Sequence, residues 1–147
     1  MTTQQAKTIV QHMVRHGMIE GDIEAALAAY APDFRYHNPV LRSMPPMSGL
    51  DAIRALMSMA RVAFPDMRYR IDALIGDGEM VAVLYSWTGS HRASLGGVPA
   101  TGRRVETTGA IVCRVSGERI VEQWDIDDRL DVMDQLGLLP KPEFAPS

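Results

Sequence analysis

Apolar residues recur at helical spacing over the first third of the chain and at the two-residue spacing of strands over most of the rest. Ile9, Val10, Met13 and Val14 share one side of a helix that the pattern ends near Gly17. Asp22 reads as the N-cap of a second helix, with Ile23, Ala26, Leu27 and Tyr30 at i, i+3, i+4, i+7 and Pro32 as its stop. Residues 34–37 are short and aromatic, so they read as a brief strand closed by Asn38-Pro39. Prolines at 39, 45 and 46 make the next stretch a loop. Ser48-Gly49-Leu50-Asp51 is a capping box with Asp in place of Glu, and Ile53, Leu56, Met57 and Ala60 form one side of the third helix it opens.

From Met67 onward the pattern alternates. Met67, Tyr69, Ile71 and Ala73 interleave with polar residues, and Gly76-Asp77-Gly78 is a turn. Residues 80–91 make a long strand in which Val81, Val83, Tyr85, Trp87 and His91 share one parity. A glycine- and proline-bearing loop over 95–102 leads to a second long strand, 103–115. Ser116-Gly117-Glu118 turns the chain into a last strand over 119–126, where Ile120, Trp124 and Ile126 share one parity. A short helix follows from about Arg129 to Leu136, with Gly137 after its end. Helices first and hairpin-linked strands afterwards make an α+β pattern with a curved antiparallel sheet. The 147 residues fit one domain, expected ordered over about 5–139 with a loosely held tail from 140.

Charge narrows the partners. The formal net charge of −3 carries no basic surplus for nucleic acid or an anionic membrane. The N-terminus is polar without an apolar signal core, and no apolar run approaches the ~20 residues of a membrane helix. Cys113 stands alone and cannot close an internal disulfide, which points to a reducing, cytoplasmic setting. His12 and His16 lie four apart, but Met13 stands where the zinc-protease pattern has Glu, and no third ligand is evident. The glycines at 96, 97 and 102 lack the Gly-Lys-Ser/Thr ending and following helix of a phosphate loop, and Gly-x-Ser-x-Gly is absent. No metal or cofactor is expected. Ten methionines supply adaptable wall material for a core or for a pocket that takes a flat apolar ligand.

The segment Gly97-Val98-Pro99-Ala100-Thr101-Gly102-Arg103-Arg104-Val105 resembles the "GxPPTGRxV" of the SnoaL-like polyketide cyclase family. Ile120-Val121-Glu122-Gln123-Trp124, Asp128 and Gln135-Leu136-Gly137 resemble that family's "IVExWxxxD…QLG" ending. Gly21-Asp22, Ala31-Pro32-Asp33-Phe34 and His37-Asn38-Pro39 are similar to its opening "GD…APDFxxHNP". The order and spacing of these segments carry the resemblance over about residues 10–138. It implies a cone-shaped nuclear transport factor 2-like fold: a strongly bent sheet with about three N-terminal helices in its concavity, around an apolar pocket. It further implies cofactor-free ring closure by intramolecular aldol condensation, with an Asp that takes a proton from carbon. That role carries over onto Asp128, four residues after Trp124.

Read from the residues, Asp128 has two accounts. It shares parity with Trp124 and Ile126, toward a pocket, and Asp128-Arg129-Leu130-Asp131 equally reads as a helix cap. Asp125 and Asp127 have the opposite parity and are expected in solvent, while Glu122 is a candidate partner for Arg104 or Arg114. The expected substrate-binding set is Trp124, His37, Asn38, Tyr36, Trp87, His91 and Met57, and Tyr30 either lines the pocket or fills the core, with core preferred. The expected activity is a cyclase, lyase or isomerase acting on an apolar or aromatic oxygenated small molecule. The alternatives are a non-catalytic binding or dimerising module, or an epoxide hydrolase or ketosteroid isomerase type of enzyme; an Asp128 that caps the helix and faces water favours the binding module. Both parities of the two long strands are apolar, with Leu84, Ala110 and Val112 on one and Val83, Val105 and Ile111 on the other, which predicts a homodimer through the outer sheet face.

Overall fold

A computed structural model gives the fold and describes residues 1–140 and Phe144. The expected loose tail rests on positions that, apart from Pro140 and Phe144, lie outside those residues. Helix α1, Thr3–Met13, opens with a full capping box between Thr2 and Gln5 and buries Ala6, Val10 and Met13. The chain does not stop there but widens into a π-helix, Val14–Ile19, that buries Gly17 and Met18. Arg61 donates to the Gly17 and Met18 carbonyls at 3.3 and 2.8 Å, satisfying acceptors near the π-helix end. Asp22 caps α2, Ile23–Leu27, by accepting from the Ala25 N–H at 3.1 Å.

Tyr30 is not on that helix. It begins β1, Tyr30–His37, which is longer than the aromatic run suggested. Pairing with the last strand overrides the helical spacing here, since the Ile120 N–H donates to the Ala29 carbonyl at 2.8 Å. Pro32 is tolerated because β1 is an edge strand. A 3-10 turn, Pro39–Ser43, leads to α3, Gly49–Ala63, capped by Ser48 and burying Ala52, Ile53 and Ala63.

Four strands follow: β2, Arg68–Asp77; β3, Met80–Ser90; β4, Arg104–Ser116; and β5, Arg119–Asp127. Helix α4, Arg129–Gln135, ends the series. The sheet order is β1-β5-β4-β3-β2. Three pairs are antiparallel, but β1 lies parallel to β5, so the sheet is not antiparallel throughout. Gly117 and Glu118 both adopt positive φ, at 56° and 63°, as a two-residue hairpin turn demands. Val81, Val83, Ile111, Cys113, Val115 and Ile120 bury the inner face against α1 and its π-helical extension. Among the described residues no helix is long and apolar enough to cross a membrane.

One irregularity decides what the concavity contains. Val115 pairs with Ile120, but Arg114 pairs with Glu122, so Val121 is an extra residue in β5. Such a bulge exchanges the two faces for everything beyond it. Ile120 faces inward; after the bulge Gln123 and Asp125, opposite Cys113 and Ile111, face inward too. Trp124 and Ile126 therefore point out of the cone, against the parity expected from Ile120.

Candidate functional site

Three elements converge on a cavity of about 90 Å³ inside the sheet: the π-helix with Gly17 and Met18, α3 with Met57 and Arg61, and the inner face with Tyr30, Tyr36 and Asp125. Its walls are mostly apolar and aromatic. Asp125 is the one carboxylate among the described lining residues. Its donors are neutral side chains. The Tyr36 hydroxyl donates to Oδ2, Asn38 Nδ2 donates to the same oxygen at 3.3 Å, and Gln123 Nε2 donates to Oδ1 at 2.8 Å. Burial raises the Asp125 carboxyl above the ordinary carboxylate range; these hydrogen bonds draw it partly back, and the Asp127 charge pushes it up again.

The donors are themselves held. The Tyr30 hydroxyl donates to Gln123 Oε1 at 2.5 Å, which turns the Gln123 amide nitrogen toward Asp125. Asn38 Oδ1 accepts from the Val40 N–H at 3.1 Å and from Arg129 Nη2 at 2.5 Å, which leaves Nδ2 for Tyr36 and Asp125. Tyr69 and Tyr85 also line the cavity. Burial raises the Tyr85 phenol strongly and pushes the Tyr69 phenol up to about 12, with Arg61 pulling Tyr69 back. A carboxylate with a raised pKa among hydrogen-bond donors in a mostly apolar pocket is the arrangement that carbon-acid chemistry needs.

The model of the SnoaL-like polyketide cyclases matches residues 8–136. The chain belongs to this family. Solved structures agree with that placement. A candidate polyketide cyclase from Acidithiobacillus ferrooxidans is 32% identical, with 90% of this chain and 94% of that one covered at a TM-score of 0.75. IdmH, a candidate polyketide cyclase from Streptomyces antibioticus, is 29% identical over 90% of this chain and 99% of its own, also at 0.75. AclR, a candidate hydroxylase from Streptomyces galilaeus, shares the fold at a TM-score of 0.80 with 24% identity, covering 95% of this chain and all of that one, 100%. Comparison with curated proteins gives no match.

This SnoaL-like site differs from the one expected. Tyr36, Asn38 and Met57 belong to it: Tyr36 and Met57 line the cavity and Asn38 touches Asp125. Asp128 does not line it. It is exposed and accepts from the Asp131 N–H at 3.0 Å as the N-cap of α4, while the Asp131 carboxylate goes to Thr107 rather than closing the box. Trp124 lies outside, stacked on His37 with ring centroids 5.1 Å apart, and His37 donates toward Glu122 at 2.7 Å. Trp124 left the expected pocket because the Val121 bulge turned its parity outward, and His37 lies beside it as its register partner on β1.

Trp87 does face inward but packs edge-on against Phe64, at 5.0 Å, in a second apolar cluster. His91 is fully buried beside the same Phe64; its Nδ1 accepts from the Thr101 N–H at 3.1 Å, so it ties down the 95–102 loop instead of reaching a pocket rim. Sequence reading missed Gln123, placed Asp125 in solvent, and put Tyr30 in the core ahead of the pocket wall. The sequence carries no clear signal of the inserted residue: the adjacent burial of Glu122 and Gln123 that breaks strict alternation is visible only in the fold.

Proposed function

We propose that this SnoaL-like chain is a cofactor-free acid–base enzyme that takes a proton from carbon beside a carbonyl, with Asp125 as the base. Asp125 carries the reading because it is a carboxylate set inside an apolar cavity, its pKa raised by burial and its described donors all neutral. The C–H bond breaks, the proton passes to an Asp125 oxygen, and the electron pair moves onto the carbonyl oxygen as an enolate. In an intramolecular aldol closure the enolate carbon then bonds to a second carbonyl carbon of the same molecule. Protonated Asp125 can return its proton to the alkoxide so formed. In a lyase or isomerase the same base starts a cleavage or a shift instead. The substrate class is an apolar, oxygenated small molecule, which suits the methionine and tyrosine walls.

The test is solvent deuterium wash-in at the carbon beside the carbonyl in a panel of enolisable aromatic ketones, followed by proton NMR. The chain should accelerate exchange for at least one member, and Asp125→Asn should remove about 10² to 10⁴ of that acceleration. Ligands that raise the melting temperature without any exchange would replace the enzyme by the non-catalytic binding module. Exchange that survives Asp125→Asn would move the base elsewhere.

The outer sheet face supports a homodimer as part of the same reading. Ile75, Ala82, Val112 and Trp124 form one cross-strand row, and Ala73, Leu84, Ala110 and Ile126 form the next. Leu84 and Ile126 are 41% and 60% exposed, apolar surface that a second copy would cover.

A further inference from the structure

Proton removal from carbon leaves a negative charge on oxygen, and Asp125 cannot stabilise it. The donors around Asp125 are already committed: Tyr36, Asn38 and Gln123 all point at its carboxylate. A separate donor must face the substrate oxygen. Two phenols fit. Tyr69 and Tyr85 line the cavity, and among the described residues neither hydroxyl has a protein hydrogen-bond partner. Neither is sealed in the core, because the buried side-chain atom without a partner among these residues is His91 Nε2. Both hydroxyls therefore keep accessible surface, and both residues line the cavity. Their rings meet edge-on, with centroids 5.5 Å apart.

Tyr85 is seated by a feature of β4. Gly109 is its cross-strand partner, and a methyl group added at Gly109 would lie 2.4 Å from the Tyr85 hydroxyl and 2.6 Å from the ring carbon that bears it. The phenol thus lies flat across the one residue of β4 that has no side chain at that point. It leans toward β5, whose Asp127 pairs with Gly109 and whose Asp125 is the next inward residue. A glycine in mid-strand is weak packing material, and such positions mark the close approach of another group.

We propose that the Tyr85 hydroxyl is a catalytic residue that donates to the enolate oxygen, with Tyr69 beside it as second donor, and that Gly109 exists to seat Tyr85. This rests on the reading of Asp125 as base, but its test does not. Naphthols carry the same planar oxyanion when ionised, and Asp125→Asn imitates the protonated base that faces an enolate. Affinity for a series of naphthols of graded acidity, each ionised form compared with its methyl ether, would be measured in that background. Adding Tyr85→Phe should weaken binding of the ionised forms by about tenfold or more, the usual worth of a hydrogen bond to a charged group, and leave the methyl ethers unchanged. Gly109→Ala should reproduce the loss by displacing the phenol, and Tyr85→Phe keeps the experiment decisive should that variant not fold. Equal affinity in the Tyr85→Phe protein, or an equal loss for naphtholates and methyl ethers, would overturn the assignment and leave Tyr85 as packing. Failure of Asp125 as base would show separately, as deuterium exchange unaffected by Asp125→Asn.

Discussion

At the residue scale the site sets two aspartates apart by environment alone. Asp125 is held in an apolar cavity, and its folded-state pKa lies above the unfolded value near 4. The folded state then binds that proton more tightly than the unfolded state does, so stability falls as pH rises from about 4 through the raised value. Asp125→Asn removes this cost. Its melting temperature at pH 7 is expected to equal or exceed that of the parent, with the advantage vanishing below pH ~4, while exchange activity is lost. Calorimetry over pH 3–8 checks it, and a variant that melts lower at pH 7 contradicts the cost. Asp128 behaves in the opposite way. As the cap of α4 it should cost about 0.5–2 kcal/mol on substitution by Ala, little on substitution by Asn, and neither change should abolish exchange. Denaturant titration and deuterium wash-in on both variants separate the roles.

At the element scale β5 carries the lesson about legibility. Its limits, its hairpin turn and the cap that follows it could be read from apolar alternation, Gly117 and the Asp128–Asp131 spacing. What alternation does not carry is a single inserted residue. The Val121 bulge leaves hydrophobicity almost unchanged, yet it puts Gln123 and Asp125 inside and Trp124 outside. Likewise Tyr30 fits helical spacing after Ile23, and only the parallel pairing with β5, distant in sequence, makes it a strand residue. The expected residues that meet this cavity or Asp125, namely Tyr36, Asn38 and Met57, all come before the bulge: Tyr36 on β1, Asn38 just past its end and Met57 on α3. The outward side of the bulge also has a structural use. Glu122 accepts from Arg35, His37 and Arg114, so it ties β5 to both neighbouring strands. Hydrogen bonds from Arg114 and then His37 hold its carboxyl below the ordinary range. That stabilisation is complete above the unfolded value near 4.3 and is lost as pH falls through the depressed one. The melting-temperature gap between the parent and Glu122→Gln should therefore be open at pH 7 and close below pH ~4; a gap that persists in acid would show that shape, not charge, is what Gln fails to replace.

At the scale of the whole molecule the two faces of one sheet divide the work. The inner face lines the cavity of the proposed chemistry, and the outer face carries the apolar rows on which the proposed dimer rests. Light scattering at micromolar concentration should find a dimer, and Leu84→Glu combined with Ile126→Glu should give a folded monomer with unchanged far-UV circular dichroism. A parent chain that is already monomeric would remove the pairing. The cavity itself, at about 90 Å³, is smaller than the roughly 300–1,000 Å³ of most ligand pockets. Much of its wall is Met13, Met18, Met57 and Met67, unbranched side chains that change rotamer easily. Entry must therefore wait for the wall to rearrange, whatever the ligand's concentration. In stopped-flow mixing, the observed rate of association should level off as ligand is raised instead of climbing without limit, and the plateau is the frequency at which the methionine wall opens.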